Sequence, residues 1–364
     1  MEEQKSSLEN MVVTMLNSDF YKNKKIFITG HTGFKGCWLT LFLQNMGAEV
    51  TGYALEAPDL SLFQLLGMKN KMNSVISDVR DYNSLEEALV KNNPEIIFHL
   101  AAQPLVRESY QDPKYTYETN VLGTVNLLEI AKSIKSVKAV VNITTDKCYE
   151  NRESDQPHTE EDKLGGHDPY SASKACSEII TNSYKNSFYK EKNIGIASAR
   201  AGNVIGGGDF AKDRIIPDIL MSIKNANHLL LRNPNAIRPW QHVFDVLHGY
   251  LILGEKLYNN PNDFSEAFNF SPIDNKEVIV KEIAEEFISI IGSGKFKIEQ
   301  SKFDPHETQI LKLDSNKAIQ NLDWRPKYNI KESIYHTATW YKNYLNESNI
   351  SVLCKKSLID FMAL

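Results

Sequence analysis

The chain has 364 residues, enough for one large domain and a smaller one, and its 42% hydrophobic and 24% charged content is that of an ordinary globular protein. A formal net charge of −5 argues against a nucleic-acid-binding surface. Cys37, Cys148, Cys176 and Cys354 are scattered, with no Cys-x-x-Cys pair, which excludes a structural zinc site by spacing and fits a reducing cytoplasm. No apolar run approaches the ~18 residues that span a bilayer, and the amino terminus lacks a signal pattern, so a cytoplasmic protein with no membrane partner is expected.

Residues 1–23 are polar and aperiodic apart from Met11 to Leu16 and read as an extension. From residue 24 short β-rich runs alternate with amphipathic stretches, the pattern of βαβ units in a Rossmann-type, doubly wound parallel α/β sheet. Candidate strands are Lys25 to Thr29, Glu49 to Ala54, Ser74 to Ser77, Ile96 to Leu100, Ala139 to Thr144 and Gly195 to Arg200. A helix is predicted over Phe34 to Met46 with Gly47 as terminator, and Asn83 with Glu86 resembles a capping box. Beyond residue 200 the alternation weakens and glycines and prolines cluster. Residues 201–364 are therefore expected to form a smaller substrate lobe, including a helix over Lys276 to Ile291, with short segments free to return to the first domain at 24–200.

The first strand runs into Gly30-His31-Thr32-Gly33-Phe34-Lys35-Gly36, a GxxGxxG spacing between an apolar strand and a helix. Glycines there allow the turn, the approach of a pyrophosphate and close helix–strand packing, while the helix amino terminus offers N–H groups to phosphate. Gly30, Thr32, Gly33, Phe34 and Gly36 are thus expected to hold a dinucleotide. Asp78 and Val79 after the third strand are placed for the adenine, and Leu100, Ala101, Ala102 and Gln103 after the fourth form a small-residue passage beside the cofactor. The carboxylate that ordinarily follows strand two about 20 residues after the glycines is displaced, because Glu56 lies far along. No arginine stands there for a 2′-phosphate, which leans the choice to NAD.

Tyr-x-x-x-Lys occurs three times, and context selects among them. Tyr21/Lys25 precedes the first strand, and Pro113 interrupts Tyr110/Lys114. Tyr170/Lys174 follows the helix-start signal Asp168-Pro169, so phenol and ammonium project from one face. The Gly206-Gly207-Gly208-Asp209 segment reads as a flexible substrate loop, since no strand is predicted before it.

The glycine loop, Thr145, Tyr170 and Lys174 resemble the extended short-chain dehydrogenase/reductases. More narrowly, five motifs in order resemble the CDP-glucose 4,6-dehydratases: His31 to Gly36, Thr145 to Asn151, Asp168 to Lys174, Arg238 to His242 and Pro305 to Glu307. The resemblance implies NAD as cofactor, a CDP-sugar as substrate, CDP-4-keto-6-deoxyglucose as product and a place in 3,6-dideoxyhexose synthesis for surface polysaccharide. It implies Tyr170 as base at the sugar C4 hydroxyl, assisted by Thr145 and Lys174, with the phenol's pKa lowered by Lys174 and the cofactor. Asp146 matches the acid position, and Lys147 stands where dTDP-glucose dehydratases carry a glutamate base. Lys147 would serve either as a free amine, promoted by desolvation and by Lys174, or as a cation polarising the ketone. Arg238 matches a diphosphate-binding arginine, and Asn203, His242 and His306 are implied substrate contacts. Trp240 belongs either to the nucleotide site or to the core. A 4-epimerase would share the loop, Thr145, Tyr170 and Lys174 but not need Asp146 and Lys147, and a non-catalytic sensor would not need the tyrosine and lysine. A homo-oligomer, dimer or tetramer, is expected, pairing through the Tyr115 to Ile134 stretch and the Tyr170 helix.

Overall fold

A computed structural model describes residues 19–150, 152, 154–273, 277–298 and 310–364. Strands β1 (Lys25–Thr29), β2 (Glu49–Ala54), β3 (Asn73–Ile76), β4 (Ile96–His99), β5 (Ala139–Ile143) and β6 (Gly195–Ala201) match the predicted runs to within a residue at most ends. Further strands are β7 (Val204–Ile205), β8 (Leu229–Leu231), β9 (Gln241–His242), β10 (Ala267–Phe270) and β11 (Phe296–Ile298). The central sheet is parallel and seven-stranded, in the order β10-β6-β5-β4-β1-β2-β3. The chain reverses direction of winding between β1 and β4, where Thr29 pairs with His99. The crevice beyond the strand ends at that point is where doubly wound folds bind ligands.

Both sheet faces are covered, which is why the middle strands are mostly apolar and are buried at every position but Lys25. Alternate residues divide between two cores: Ile26 and Ile28 enter one with Trp38, Phe42 and Leu251, while Phe27 enters the other with Leu85, Leu127 and Val140. β10 extends the sheet beside β6, and the almost wholly buried helix Val243–Asn259 packs on β5 and β6. β10 escaped sequence reading because Ala-Phe-Asn-Phe is only four residues long and interrupted by a polar residue, too short a run to stand out.

Local details differ from expectation. The first helix ends at Asn45, with Met46 as its cap and Gly47 in the left-handed region at φ +78°. The helix Tyr82–Asn92 is capped by Asp81, which accepts from Ser84 N at 3.1 Å, so Asn83 lies inside it and no Asn83/Glu86 box forms. The helix expected from Lys276 begins at Val280, and Lys276 lies outside the described residues. Pro113 opens a new helix, Pro113–Tyr117, and so separates Tyr110 from Lys114 as anticipated.

Beneath the strand ends lies a buried polar network. Glu178 pairs with Arg200 Nη2 at 2.9 Å and accepts a short bond from Thr144. Arg200 Nη1 donates to Tyr149 Oη at 2.8 Å, and Tyr149 Oη donates to Asn269 Oδ1 at 2.6 Å. β5, β6, β10 and the helix Pro169–Tyr184 are thereby tied together. Truncating one member strands a buried charge, which typically costs about 3–5 kcal/mol. Glu178→Ala is therefore expected to lower the urea unfolding midpoint substantially, whereas replacing Glu178 and Arg200 together by apolar residues should recover much of the loss.

Candidate active site

At the end of β1, Gly30 has φ +80°, and a Cβ there would stand 2.8 Å from Ala101 N and 2.9 Å from Leu100 C. A Cβ on Gly36 would lie 2.1 Å from Gly30 O. Only glycine at both positions lets the helix Phe34–Asn45 abut the strand. Gly33 is the helix N-cap and supplies no side-chain bond, so the first-turn N–H groups face a cavity of about 340 Å³ without a protein cap. Gly30, Thr32, Gly33, Phe34, Gly36, Asp78, Val79, Leu100, Ala101, Ala102, Tyr170 and Lys174 all line it. Thr32 Oγ1 donates to Leu55 O at 3.0 Å, securing the loop after β2. His31 of the same motif is a buried strut: its Nε2 meets Ser74 Oγ at 2.7 Å, and Gly52 makes room for its ring. Burial lowers the His31 imidazole to about 4.

Gln103 is a correction. It does not line the cavity; its Nε2 donates to Leu105 O and Thr116 Oγ1, and its Oε1 accepts from Leu105 N at 2.6 Å. Its role is to brace the following loop. Thr29 Oγ1 accepts from Leu100 N and Ala101 N, both at 3.1 Å, and fixes the passage beside it. Glu56 is also outside the lining, exposed and 3.7 Å from Lys69. Asp78 faces the cavity with its carboxylate gripped by Arg80 at 2.7 and 2.9 Å; partial burial resists ionisation, but the Arg80 bonds outweigh it and keep the carboxyl below its usual range.

A second cavity, about 360 Å³, opens onto the first. Thr145, Asp146, Lys147, Tyr170, Asn203, Arg238 and Trp240 line it. The turn Asp146–Cys148 follows β5 and is capped by Thr145, whose Oγ1 donates to Asp146 Oδ1 at 3.0 Å. Asp146 is 1% exposed, and its Oδ2 is buried with no hydrogen-bond partner among the described residues. A Cβ on Gly202 would come within 3.1 Å of that oxygen, so glycine leaves the space in front of it open. Lys147 is less desolvated than expected. Its side chain keeps 24% of its exposure, and its Nζ faces Asp146 at 3.6 Å rather than Lys174.

Tyr170 and Lys174 enter from the helix Pro169–Tyr184, capped by Asp168, which accepts from Ser171 N at 2.9 Å. Lys174 Nζ donates to Ile143 O at 3.0 Å, pinning the lysine to the end of β5. Burial lowers its ammonium to about 8, against the pull of Glu178. The expected acidification of Tyr170 is not built into the protein alone. Burial pushes the phenol up to about 12, opposed by the Thr145 hydroxyl and the Arg214 charge.

His242 is a second correction. It lines neither cavity; its Nδ1 accepts from Phe244 N at 3.2 Å, capping the helix Val243–Asn259, and its ring packs against Phe244 and Tyr328. Burial lowers it to about 3. Asn203 lines the second cavity, with its Oδ1 buried and without a partner among the described residues. Trp240 is both things at once, 6% exposed and part of the cavity wall. His306 and its Pro305-His306-Glu307 motif lie outside the described residues. The glycine run 206–208 is a third correction: β7 precedes it, it is buried, Trp38 Nε1 donates to Gly207 O at 2.8 Å, and Trp340 packs against Gly207. It is a packed ledge, and Asp209 at its end holds Arg214 at 2.8 Å.

Sequence reading missed Lys35, Arg107, Arg214 and Arg232, all in the second lining. Lys35 stood inside the quoted loop motif; the arginines carried no local signal.

The family model for GDP-mannose 4,6 dehydratase matches residues 27–337. The chain belongs to that family. Within it, a CDP-glucose 4,6-dehydratase of Salmonella typhimurium is 45% identical over 96% of this chain and 99% of that protein. Among solved structures, an epimerase from Methanothermobacter thermautotrophicus superimposes with a TM-score of 0.77 at 24% identity, covering 93% of this chain and 96% of that one. A dTDP-glucose 4,6-dehydratase of Bacillus anthracis, in complex with NAD, gives 0.73 at 24% identity over 89% and 98%. These structures share the fold of the dehydratase family described above.

The Tyr170 environment makes a direct prediction. Ultraviolet difference titration of dinucleotide-free wild type against Tyr170→Phe should show no phenolate from Tyr170 until the pH nears about 12.

Proposed function

We propose that this chain is a CDP-glucose 4,6-dehydratase, converting CDP-glucose to CDP-4-keto-6-deoxyglucose and water with NAD retained through turnover. Supporting it are the 45% identity to the Salmonella enzyme of that name and the fit of the first cavity to a dinucleotide. That fit rests on a glycine cradle that any Cβ would fill and on a helix start left without a side-chain cap. When bound, a nicotinamide dinucleotide supplies reversible hydride storage, taking hydride from sugar C4 and giving it back at C6.

The observation that carries the reading is the buried Asp146 Oδ2, without a partner among the described residues, at the cavity shared by Thr145, Lys147 and Tyr170. Tyr170 takes the C4 hydroxyl proton while Thr145 holds that oxygen. Lys147 then removes the proton from C5, now acidic beside the C4 ketone, and Asp146 delivers a proton to the C6 hydroxyl, which leaves as water. As C6 regains hydrogen, C5 is reprotonated, so protons and electrons balance over the cycle. Arg238, with Asn203 nearby, suits the diphosphate and its sugar through its fork of donors. The 3.6 Å approach of Lys147 to Asp146 favours a second role for the lysine, as a fixed ammonium polarising the C4 ketone.

No described helix is long and apolar enough to cross a membrane. We assign the enzyme to the cytoplasm and to a homo-oligomer, a dimer at least, with exposed Leu122 and Ile179 on the helices expected to pair. The substrate lobe is assigned mainly to residues 201–364, and the product to 3,6-dideoxyhexose synthesis for surface polysaccharide such as O-antigen.

Incubation with CDP-, dTDP-, GDP- and UDP-glucose should yield a 4-keto product from the CDP sugar. In heavy water that product carries deuterium at C5 and the original C4 hydrogen at C6; an epimerase places neither label. Lys147→Met is expected to lower kcat by about 10²- to 10⁴-fold while still oxidising C4 once, seen as a stoichiometric rise in nicotinamide fluorescence. Lys147→Glu separates the two roles, being active only if this position works as a base. Near-normal turnover by Lys147→Met would remove the residue from the mechanism.

A further inference from the structure

The second cavity extends away from the first along the helix Ile215–Lys224. Arg214, the N-cap of that helix, lines both cavities. Asp218 stands four residues on, about 6 Å further along the helix axis, and lines the second cavity alone. The wall around it is apolar: Ile216 and, from β8, Leu229 and Leu231 are buried there. With the sugar of a nucleotide sugar at Tyr170, where the cavities meet, the base is left this outer end.

The protein serves Asp218 poorly. Arg107 and Arg232 stand nearby, but both pair with Asp213, at 3.8 and 3.3 Å, and Asp218 forms no ion pair among the described residues. Burial and the neighbouring Asp213 charge push its carboxyl up to about 6, against the pull of Arg232, of the Asp213 backbone and of Arg107. An acid in the first turn suits the helix dipole, but a fully exposed one would serve it equally and would not have to face leucines. A half-buried carboxylate in such a wall is an acceptor whose donor the protein does not supply.

We propose, on the dehydratase reading above, that Asp218 selects the base, accepting a hydrogen bond from the exocyclic amine of cytosine and turning away uracil and thymine. In a pyrimidine, C4 lies across the ring from the N1 that carries ribose, so its substituent reaches furthest from the sugar. Cytosine presents N–H donors there, and a carboxylate accepts them as it does from cytosine in nucleic acids. Uracil and thymine present a carbonyl oxygen, which sets two acceptors face to face with no proton between them. Cytosine and uracil are nearly the same size, so a donor count can separate them where an apolar slot cannot.

Binding of CDP and UDP tests this without turnover. Titration calorimetry at about pH 8, where Asp218 is ionised, compares wild type with Asp218→Asn and Asp218→Leu. Wild type should prefer CDP to UDP by at least roughly tenfold, and both variants should lose about tenfold or more of that preference through weaker binding of CDP. Asp218→Asn should hold or improve UDP binding, because its amide also donates. A preference unchanged in both variants, whether the two affinities hold or fall together, overturns the inference and leaves the dehydratase chemistry standing, and so does wild type that binds CDP and UDP equally. Wild type that binds neither overturns the nucleotide-sugar reading and this inference with it. Circular dichroism confirms that each variant is folded before its preference is read.

Discussion

The buried pair of Glu178 and Arg200 holds the rest of the site in place. Glu178 comes from the helix that presents Tyr170 and Lys174, Arg200 from β6, and Thr144, bonded to the same carboxylate, from the end of β5 that leads into Thr145, Asp146 and Lys147. Three separately folded segments are therefore registered against one another by a charge pair that water cannot screen. Lys174 adds a second fastening between the same helix and strand through Ile143 O. Thr145, Asp146 and Tyr170 can stand close together because the backbone beneath them has little freedom to drift.

Steric emptiness completes the design. Gly30 and Gly36 bring helix and strand so close that a single methyl would collide with backbone, and Gly202 keeps the approach to Asp146 Oδ2 clear. The site is thus shaped by where side chains are missing as well as by where they are present. Asp146 Oδ2 is buried without a hydrogen-bond partner among the described residues, and the Tyr170 phenol is held by burial in its neutral form. Both groups are set for a ligand whose charges and hydrogen bonds the protein does not itself provide.

The parallel sheet and the glycine-lined turn after β1 were legible in sequence because their signals are local: apolar runs, glycine spacing and an Asp-Pro helix start. Thr145, Asp146 and Lys147 line one cavity, Lys174 lines the other, and Tyr170 lines both. His242 and Gln103 sat in or beside motifs yet proved to be a helix cap and a loop brace, because motif membership does not say which way a side chain turns. Tyr170 was expected to be acidified, an effect the surrounding protein reverses by desolvation. β10 and Arg214 were invisible for a different reason, their positions depending on where distant chain segments pack.

The ledge at Gly206 to Asp209 has a bearing on inheritance. Its carbonyl at Gly207 is bonded by Trp38 from the dinucleotide-side helix, its glycine face is filled by Trp340 from the helix Ile330–Leu345, and Tyr341 bonds Asp209 O. Residues far apart in the chain thus co-own one segment that borders both cavities. Recombination that exchanged the later half of the gene with that of a relative would break this shared joint unless Trp38 and Trp340 travelled with matching partners. The earlier and later parts of the chain are in this way coupled through one buried segment, and neither can be exchanged alone without disturbing its packing.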